Sequence, residues 1–365
     1  MVKLSKIITQ VRGVSYKPND VILEKKAGYT CLLRANNIDR GELKFDDVVY
    51  VDSARVKNTQ LLRAEDILIC ASSGSRHLVG KAACVIGDMN VTFGAFCKVI
   101  RPLAEYAPFL GWFFKSSRYR MQISNASAGV NINNIRAEDI DNMEIDLLTV
   151  KQREEAVRKL NAITHLISLR QQQAEKLDEL VKARFVEMFG DPVLNTRRLP
   201  SVSGTSLFKL SNGKAVPVEK RFDSGIPAYG GNGISWYTDE ALINTDTLVV
   251  GRVGFQSGNV HFVYGPLWIT DNAMYVTWYR KELICLRFLN QLMKRVDFSR
   301  YQDAGDLKKI TQKPFMKFEY ILPSMNLQME FVNFMDSVNC EKERIQRSAA
   351  LLETLKRSLM QQYFG

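Results

Sequence analysis

Histidine is scarce here: three residues in 365, His77, His165 and His261, none near another. No H-E-x-x-H pair and no triad-like element can be built from them. The six cysteines (Cys31, Cys70, Cys84, Cys97, Cys285, Cys340) stand singly, with no C-x-x-C. They read as reduced core residues, neither a disulfide frame nor a zinc site. No run approaches the roughly 20 apolar residues of a membrane span. The N-terminus, Met1-Val-Lys-Leu-Ser-Lys, has charge but no apolar core behind it, so no signal peptide is read and the cytoplasm is the expected compartment. Acidic residues are the minority, 39 against 50 Lys and Arg, for a net charge of +11.

What is present is the composition of a soluble globular protein, 46% apolar and 24% charged, with room for two domains or for one domain plus long helices. The positive excess is uneven. Residues 1–147 carry 20 basic and 16 acidic side chains, 148–190 carry 8 and 6, 191–321 carry 17 and 12, and 322–365 carry 5 of each. A basic balance favours a polyanionic partner, weakly on its own.

The stronger signal is repetition. In 150–189, Ala156, Leu160, Ile163, Ile167, Arg170, Ala174, Leu177 and Val181 follow alternating steps of four and three, a heptad seam, and Gly190 and Pro192 stop the helix. In 327–364, Phe331, Phe334, Val338, Glu341, Ile345, Ser348, Leu352, Leu355 and Leu359 do the same until Gly365. Each helix would span roughly 60 Å at about 1.5 Å per residue. The copies end alike, Met188-Phe-Gly and Tyr363-Phe-Gly, 175 residues apart. Before each helix comes a small-residue turn and a short strand: Ser127 to Ile135 then Met143 to Leu148, and Asp303 to Ile310 then Phe318 to Pro323. Each copy also has an apolar strand running into a Gly/Ser-rich loop, Asp66 to Gly74 and Asp246 to Gly254. The order is lobe, helix, lobe, helix, and a repeat of this size outweighs any single motif. The predicted architecture is α+β: two mixed, β-rich lobes (1–147 and 191–321) at opposite ends of an antiparallel pair of long coiled-coil helices (148–190 and 322–365), related by a pseudo-twofold axis. One compact bundle, or dimerisation through the helices, is the plainer alternative. A buried Arg170–Glu341 pair could fix the register of the seam.

The second lobe holds Ile226-Pro-Ala-Tyr-Gly-Gly-Asn-Gly-Ile-Ser-Trp-Tyr-Thr-Asp239, then Val250-Gly-Arg-Val-Gly254 and Leu267-Trp-Ile-Thr-Asp-Asn-Ala-Met-Tyr275. With Arg184-Phe-Val-Glu-Met-Phe-Gly-Asp-Pro192, and more loosely Tyr29-Thr-Cys-Leu-Leu-Arg-Ala-Asn-Asn-Ile38, this resembles the specificity (S) subunit of type I restriction–modification systems over essentially the whole chain. The resemblance implies a non-catalytic DNA-recognition subunit. Each lobe is then a target recognition domain for one half of a bipartite, asymmetric double-stranded DNA target. The helices set the spacing and dock two modification (methyltransferase) subunits, which restriction (motor/nuclease) subunits can join. S-adenosylmethionine, ATP and magnesium are expected on those partners and no cofactor or metal on this chain.

Within that reading, Tyr229, Gly230, Gly231, Asn232 and Gly233 form a turn whose glycines let backbone approach a phosphate. Asn232 and Asn259 offer both donor and acceptor, as adenine readout requires, and Arg252 suits phosphate or a guanine edge. In the first lobe Arg34, Asn36, Asn37, Ser72, Ser73, Arg76 and Lys81 are the analogous DNA-binding candidates. The same glycines and asparagines also suit a turn that only shapes the lobe. Trp236, Tyr237, Phe255, Phe262 and Trp268 are read as lobe core. Enzyme readings find little support. Gly74-Ser-Arg-His-Leu-Val-Gly-Lys81 has five residues where a Walker A loop has four, and Ala82 replaces its Ser/Thr. No G-x-G-x-x-G follows a strand and no methyltransferase motif is found. The competing readings are a coiled-coil interaction scaffold that has lost DNA reading, and a cryptic nuclease or methyltransferase.

Overall fold

A computed structural model describes every residue except 76–77, 127–133, 147 and 304–307, and describes 125–126 by backbone alone. The chain divides into two compact units: Met1–Arg170 with Ser348–Gly365, and Gln171–Arg347. Among the described residues no helix is long and apolar enough to cross a membrane.

The first unit is built on seven principal strands: β1 (Ile8–Arg12), β2 (Tyr29–Leu33), β3 (Val49–Asp52), β4 (Ile67–Cys70), β5 (Ala82–Cys84), β6 (Val91–Phe93) and β7 (Cys97–Pro102). One sheet has the order β1-β7-β4-β5, antiparallel throughout. In the other, β2 pairs antiparallel with β3 and parallel with β6, Cys31 opposite Val91. Strand β4 is apolar and buried at all four residues, as a central strand covered on both faces should be. Beside it Asp66 is 1% exposed and accepts two bonds from Arg101, 2.8 and 2.7 Å long.

The second unit repeats this plan. Its strands are β8 (Phe208–Asn212), β9 (Ile226–Gly230), β10 (Gly233–Thr238), β11 (Thr247–Gly251), β12 (Val260–Val263), β13 (Trp268–Ile269) and β14 (Ala273–Tyr279). The sheet β8-β14-β11-β12 matches β1-β7-β4-β5 strand for strand. The second sheet again joins an antiparallel pair, β9 and β10, to a parallel pair, β9 and β13. Each lobe is closed by a ribbon between its first and last segments, Val2–Lys3 with Glu144–Ile145 and Ser201–Ser203 with Glu319–Ile321. The internal repeat read from the residues is therefore also a repeat of topology.

The long helices run Val150–Phe189 and Met325–Phe364. In the first unit the start of the first helix (Ala156, Leu160) shares a core with the end of the second (Leu359, Phe364). In the second unit the end of the first (Phe185, Phe189) packs with the start of the second (Phe331). The two helices are antiparallel within each unit. Phe364 lies 4.8 Å from Phe109, ring to ring, and Phe189 lies 5.0 Å from Phe288. These two phenylalanines are the repeated Met188-Phe-Gly and Tyr363-Phe-Gly endings, each plugged into a lobe.

The seam of the first helix falls on the expected residues, with Ala156, Leu160, Ile163 and Ile167 all buried. The second seam differs at alternate positions. Phe331, Val338 and Ile345 are buried, but so is Met335, while Glu341 and Leu355 are exposed and Lys342 and Lys356 are half-buried. The stripe passes one residue beyond the expected positions. At two of these positions the lysines lay their carbon stems along the seam and carry the charge to its edge. Lys342 meets Asp178 at 2.6 Å. Glu341 instead pairs with Arg344 on its own helix at 3.3 Å, so it takes no part in a buried Arg–Glu pair. Cys340, expected in a core, is exposed on this helix.

Candidate nucleic-acid interface

In the first lobe the candidates sit where two neighbouring strands end. Strand β2 runs into a short turn at Ala35–Asn37, and β4 runs into Ser72 and Ser73. Arg34, Asn36, Ser72 and Ser73 line one cleft of about 350 Å³, with Tyr16 and Phe96. Arg34 donates to the Asp47 carbonyl at 2.7 Å and to its carboxylate at 3.1 Å, and Asn36 donates to the same carboxylate at 2.8 Å. Asp47 is exposed and left-handed (φ 54°). It holds both side chains in place.

Asn37 does not join this edge. It is fully buried; its side-chain oxygen accepts from the Arg34 backbone N–H, and its amide donates to the carbonyls of Lys44 and Asp46. With both ends satisfied inside the turn, it is scaffold. Ser73 accepts from the Ser75 N–H. Arg76 lies outside the described residues. Lys81 lines a different, larger cleft in the same unit.

In the second lobe the turn between β9 and β10 needs its glycines for stated reasons. Gly233 has φ +125°. A Cβ on Gly231 would stand 3.1 Å from the Gly251 Cα and 3.3 Å from the Asn272 oxygen, so the tip of the hairpin lies directly on the end of β11. Gly230 is buried, and Tyr229 packs into a small cluster with Val249 and Ile269. These two shape the lobe, while Asn232 is exposed at the tip. Arg252 follows β11 as Ser72 follows β4. Its backbone N–H donates to the Asn272 carbonyl at 3.0 Å and its guanidinium to the Asp271 carbonyl at 3.3 Å. Asn259 closes the loop, its carbonyl accepting from the Gly251 N–H at 2.9 Å and its side chain donating to Gln256. Gly231, Asn232, Arg252 and Asn259 are thus gathered around one strand end.

The two sets are topological equivalents. Arg34 and Asn36 follow β2 as Gly231 and Asn232 follow β9, and Ser72 follows β4 as Arg252 follows β11. Each lobe offers polar side chains at the same place in the repeat, but different ones.

Some participants were not singled out in the sequence. Asn272 receives Arg252 and abuts Gly231; its only signal was the Trp-Ile-Thr-Asp-Asn segment it belongs to. Phe255, read as core, is 84% exposed on the loop after β11, with the Lys308 ammonium 5.6 Å from its ring. Trp236, Tyr237, Phe262 and Trp268, also read as core, are half-buried; Trp268 donates to the Lys214 carbonyl at 2.7 Å, and Arg221 lies over Trp236 at 4.2 Å. Burial, then the nearby Lys294, holds the His261 imidazole below its ordinary value, so it favours the neutral form.

No protein-family model matches the chain. Among curated proteins it is 37% identical over 180 residues to the type I restriction enzyme EcoKI specificity subunit of Escherichia coli K12, a match covering 49% of this chain and 39% of that protein. It is 33% identical over 214 residues to the StySPI specificity subunit of Salmonella potsdam, covering 58% of this chain and 44% of that protein. The aligned part thus spans about two fifths of the length of these relatives. Among solved structures, the type I restriction-modification S subunit from M. genitalium is similar with a TM-score of 0.61 at 14% identity, over 100% of this chain and 95% of that one. A structure from a study of type I R-M assembly and conformational transition gives 0.61 at 16%, over 100% and 96%. The fold is that of these S subunits, and the resemblance read from the residues is borne out: the chain is homologous to type I restriction enzyme specificity subunits.

Proposed function

We propose that this chain is the DNA-sequence-reading subunit of a type I restriction–modification complex. Each lobe reads one half of a bipartite, asymmetric target. The long helices set the spacing between the halves and dock two methyltransferase subunits. Methylation and cleavage belong to partner subunits, which bind S-adenosylmethionine, ATP and magnesium; this chain has a recognition role and no reaction of its own. One observation carries the reading. The same two strand ends recur in both lobes, with Arg34, Asn36 and Ser72 at one and Asn232, Arg252 and Asn259 at the other. A scaffold that had lost DNA reading would have no reason to present different base-competent side chains at equivalent points. The lobes rather than the helices are assigned to DNA because that is where the polar candidates converge.

The test is a domain exchange. Residues 191–321 are replaced by the corresponding segment of another such chain, and methylated adenines are mapped across a genome expressing the complex. One half of the recognised sequence changes and the other stays. If both halves change, or neither does, modular reading is wrong. A gel shift with the co-purified modification subunit that finds no sequence preference supports the scaffold reading instead.

A further inference from the structure

Both units carry a second, larger groove, lined by none of Arg34, Asn36, Ser72, Asn232, Arg252 and Asn259. In the first unit it encloses about 850 Å³ where Trp112 and Lys115 of the lobe face Thr164, Glu353, Lys356 and Arg357 of the long helices. In the second it encloses about 570 Å³ where Lys294 and Arg295 of the lobe face Asn339, Asp178, Val181 and Lys182. Shifting Thr164 by the 175-residue repeat gives Asn339. The same shift takes Asp178, Val181 and Lys182 to Glu353, Lys356 and Arg357. The groove is therefore one feature occurring twice.

Its charge also recurs. The first groove is lined by six cations and three carboxylates, the second by four cations and one carboxylate. Among the described residues, Lys115, Lys356, Arg357, Lys182, Lys294 and Arg295 have no carboxylate within ion-pair distance, and Asp178 is already taken by Lys342. Lys115 and Lys356 share the Trp112 ring, at 5.2 and 5.8 Å. Arg295 stacks on Phe185 at 3.7 Å, and burial lowers its guanidinium to about 10, which leaves it charged at neutral pH. Cations held close together without counter-charges are costly unless an anion joins them.

Continuity says which anion. In the first unit the cleft and the groove share no lining residue, but Asn36 of the cleft stands four residues before Arg40 of the groove on the same segment of the lobe. In the second, Lys294 and Arg295 also line a cleft with Ser257 and Asn259 of the reading loop. The reading residues differ between lobes, but the groove keeps its sign. A ligand that is alike beside two unlike half-sites is the phosphate backbone. We propose that the two grooves are sequence-independent phosphate clamps, one per lobe, gripping the DNA backbone beside each half-site. The inference rests on the DNA-reading function proposed above.

The experiment uses the full chain with its co-purifying modification subunit and a random-sequence duplex of about 30 base pairs, titrated across salt concentrations. Lys356→Gln with Arg357→Gln removes two charges from the first groove, and Lys182→Gln with Lys294→Gln two from the second. Each double variant lowers the slope of log affinity against log salt by about two and weakens every duplex in the same proportion. Lys356→Arg, Lys182→Arg and Lys294→Arg keep both the slope and the thermal midpoint, which separates loss of charge from loss of packing at the half-buried Lys356. An unchanged slope overturns the clamp. An unchanged slope together with loss of the modification subunit also overturns it, and assigns the groove to an acidic protein surface. A wild-type complex that selects no sequence from a randomised pool sinks the reading of function and leaves the slope measurement standing.

Discussion

Phe189 and Phe364 make the repeat testable as energetics. Each is the last aromatic of a long helix, each is essentially unexposed, and each sits in the core of a different unit. Phe189 has Phe185, Phe288 and Phe331 within 5.1, 5.0 and 5.8 Å, ring to ring. Phe364 has Phe109 and Phe113 at 4.8 and 6.5 Å. Truncating such a ring to alanine costs about 3–5 kcal/mol, a large share of the roughly 5–15 kcal/mol that a domain has. Amides that exchange only on unfolding of the unit should then exchange faster by about two to nearly four orders of magnitude. The readout is hydrogen exchange at the central strands, Leu248 and Val250 in the second unit and Leu68 and Ile69 in the first. Phe189→Ala accelerates the former and leaves the latter near wild type; Phe364→Ala does the reverse. Phe189, with its three ring neighbours, should be the costlier loss. If either variant accelerates both sets equally, the units are not separate cores, and a substitution in one lobe could not be confined to one half of a target.

Other expectations are narrower. Gly231→Ala puts a methyl 3.1 Å from the Gly251 Cα, costing about 1–3 kcal/mol by overpacking; it should relax only the half-site read by the second lobe, as seen by methylation mapping. Asn37→Ala removes three hydrogen bonds from a buried turn and should cost about 1–3 kcal/mol, whereas Asn36→Ala should leave the unfolding free energy within about 0.5 kcal/mol of wild type and shift sequence preference; equal effects on stability would refute the division between scaffold and reader. Burial pushes the Cys97 thiol up to about 12, so at pH 8 roughly one molecule in ten thousand carries the thiolate. Alkylation followed by peptide mass analysis should label the exposed Cys340 first and leave Cys97 unmodified until the chain unfolds.

The repeat was legible because it is written in two independent ways, a seven-residue apolar period and paired endings such as Met188-Phe-Gly and Tyr363-Phe-Gly. Either alone would have been weak. The seam itself was legible only to within one residue. Phe334 and Leu355 look like better core residues than Met335 and Lys356, and periodicity has no means of saying that a lysine stem would be preferred at the edge. Asn37 failed for a related reason. Arg34, Asn36 and Asn37 are equally polar on paper, and only the turn's need for acceptors and donors at Arg34, Lys44 and Asp46 buries one and leaves the other at the cleft. Phe255 failed in the opposite direction, an aromatic placed on a loop whose backbone closes between Gly251 and Asn259. The larger grooves were invisible because they join helix positions to lobe positions distant in the chain, from about 45 residues for Lys294 and Asn339 to 241 for Lys115 and Lys356.

These grooves bear on how such a chain could change its target while keeping its grip. The residues proposed to read and those proposed to clamp lie on different structural footings. Arg34, Asn36, Ser72, Arg252 and Asn259 hang from strand ends and loops, where replacement costs little packing. Lys356, Arg357 and Lys182 lie on the long helices, at positions bound by the repeat. An exchange of lobes therefore swaps the first group whole and keeps only the part of each groove that the helices contribute. A transplanted lobe finds two of the six cations already in place in the first groove and one of the four in the second, and must bring the rest, including a cation at the position of Lys115 or of Lys294. Nonspecific affinity should then vary less among lobe exchanges than target sequence does, and a lobe with a neutral residue at that position should show a salt slope lower by about one. Should slopes scatter as widely as targets do, the helices contribute nothing to the grip, and affinity and sequence choice reside in the same residues.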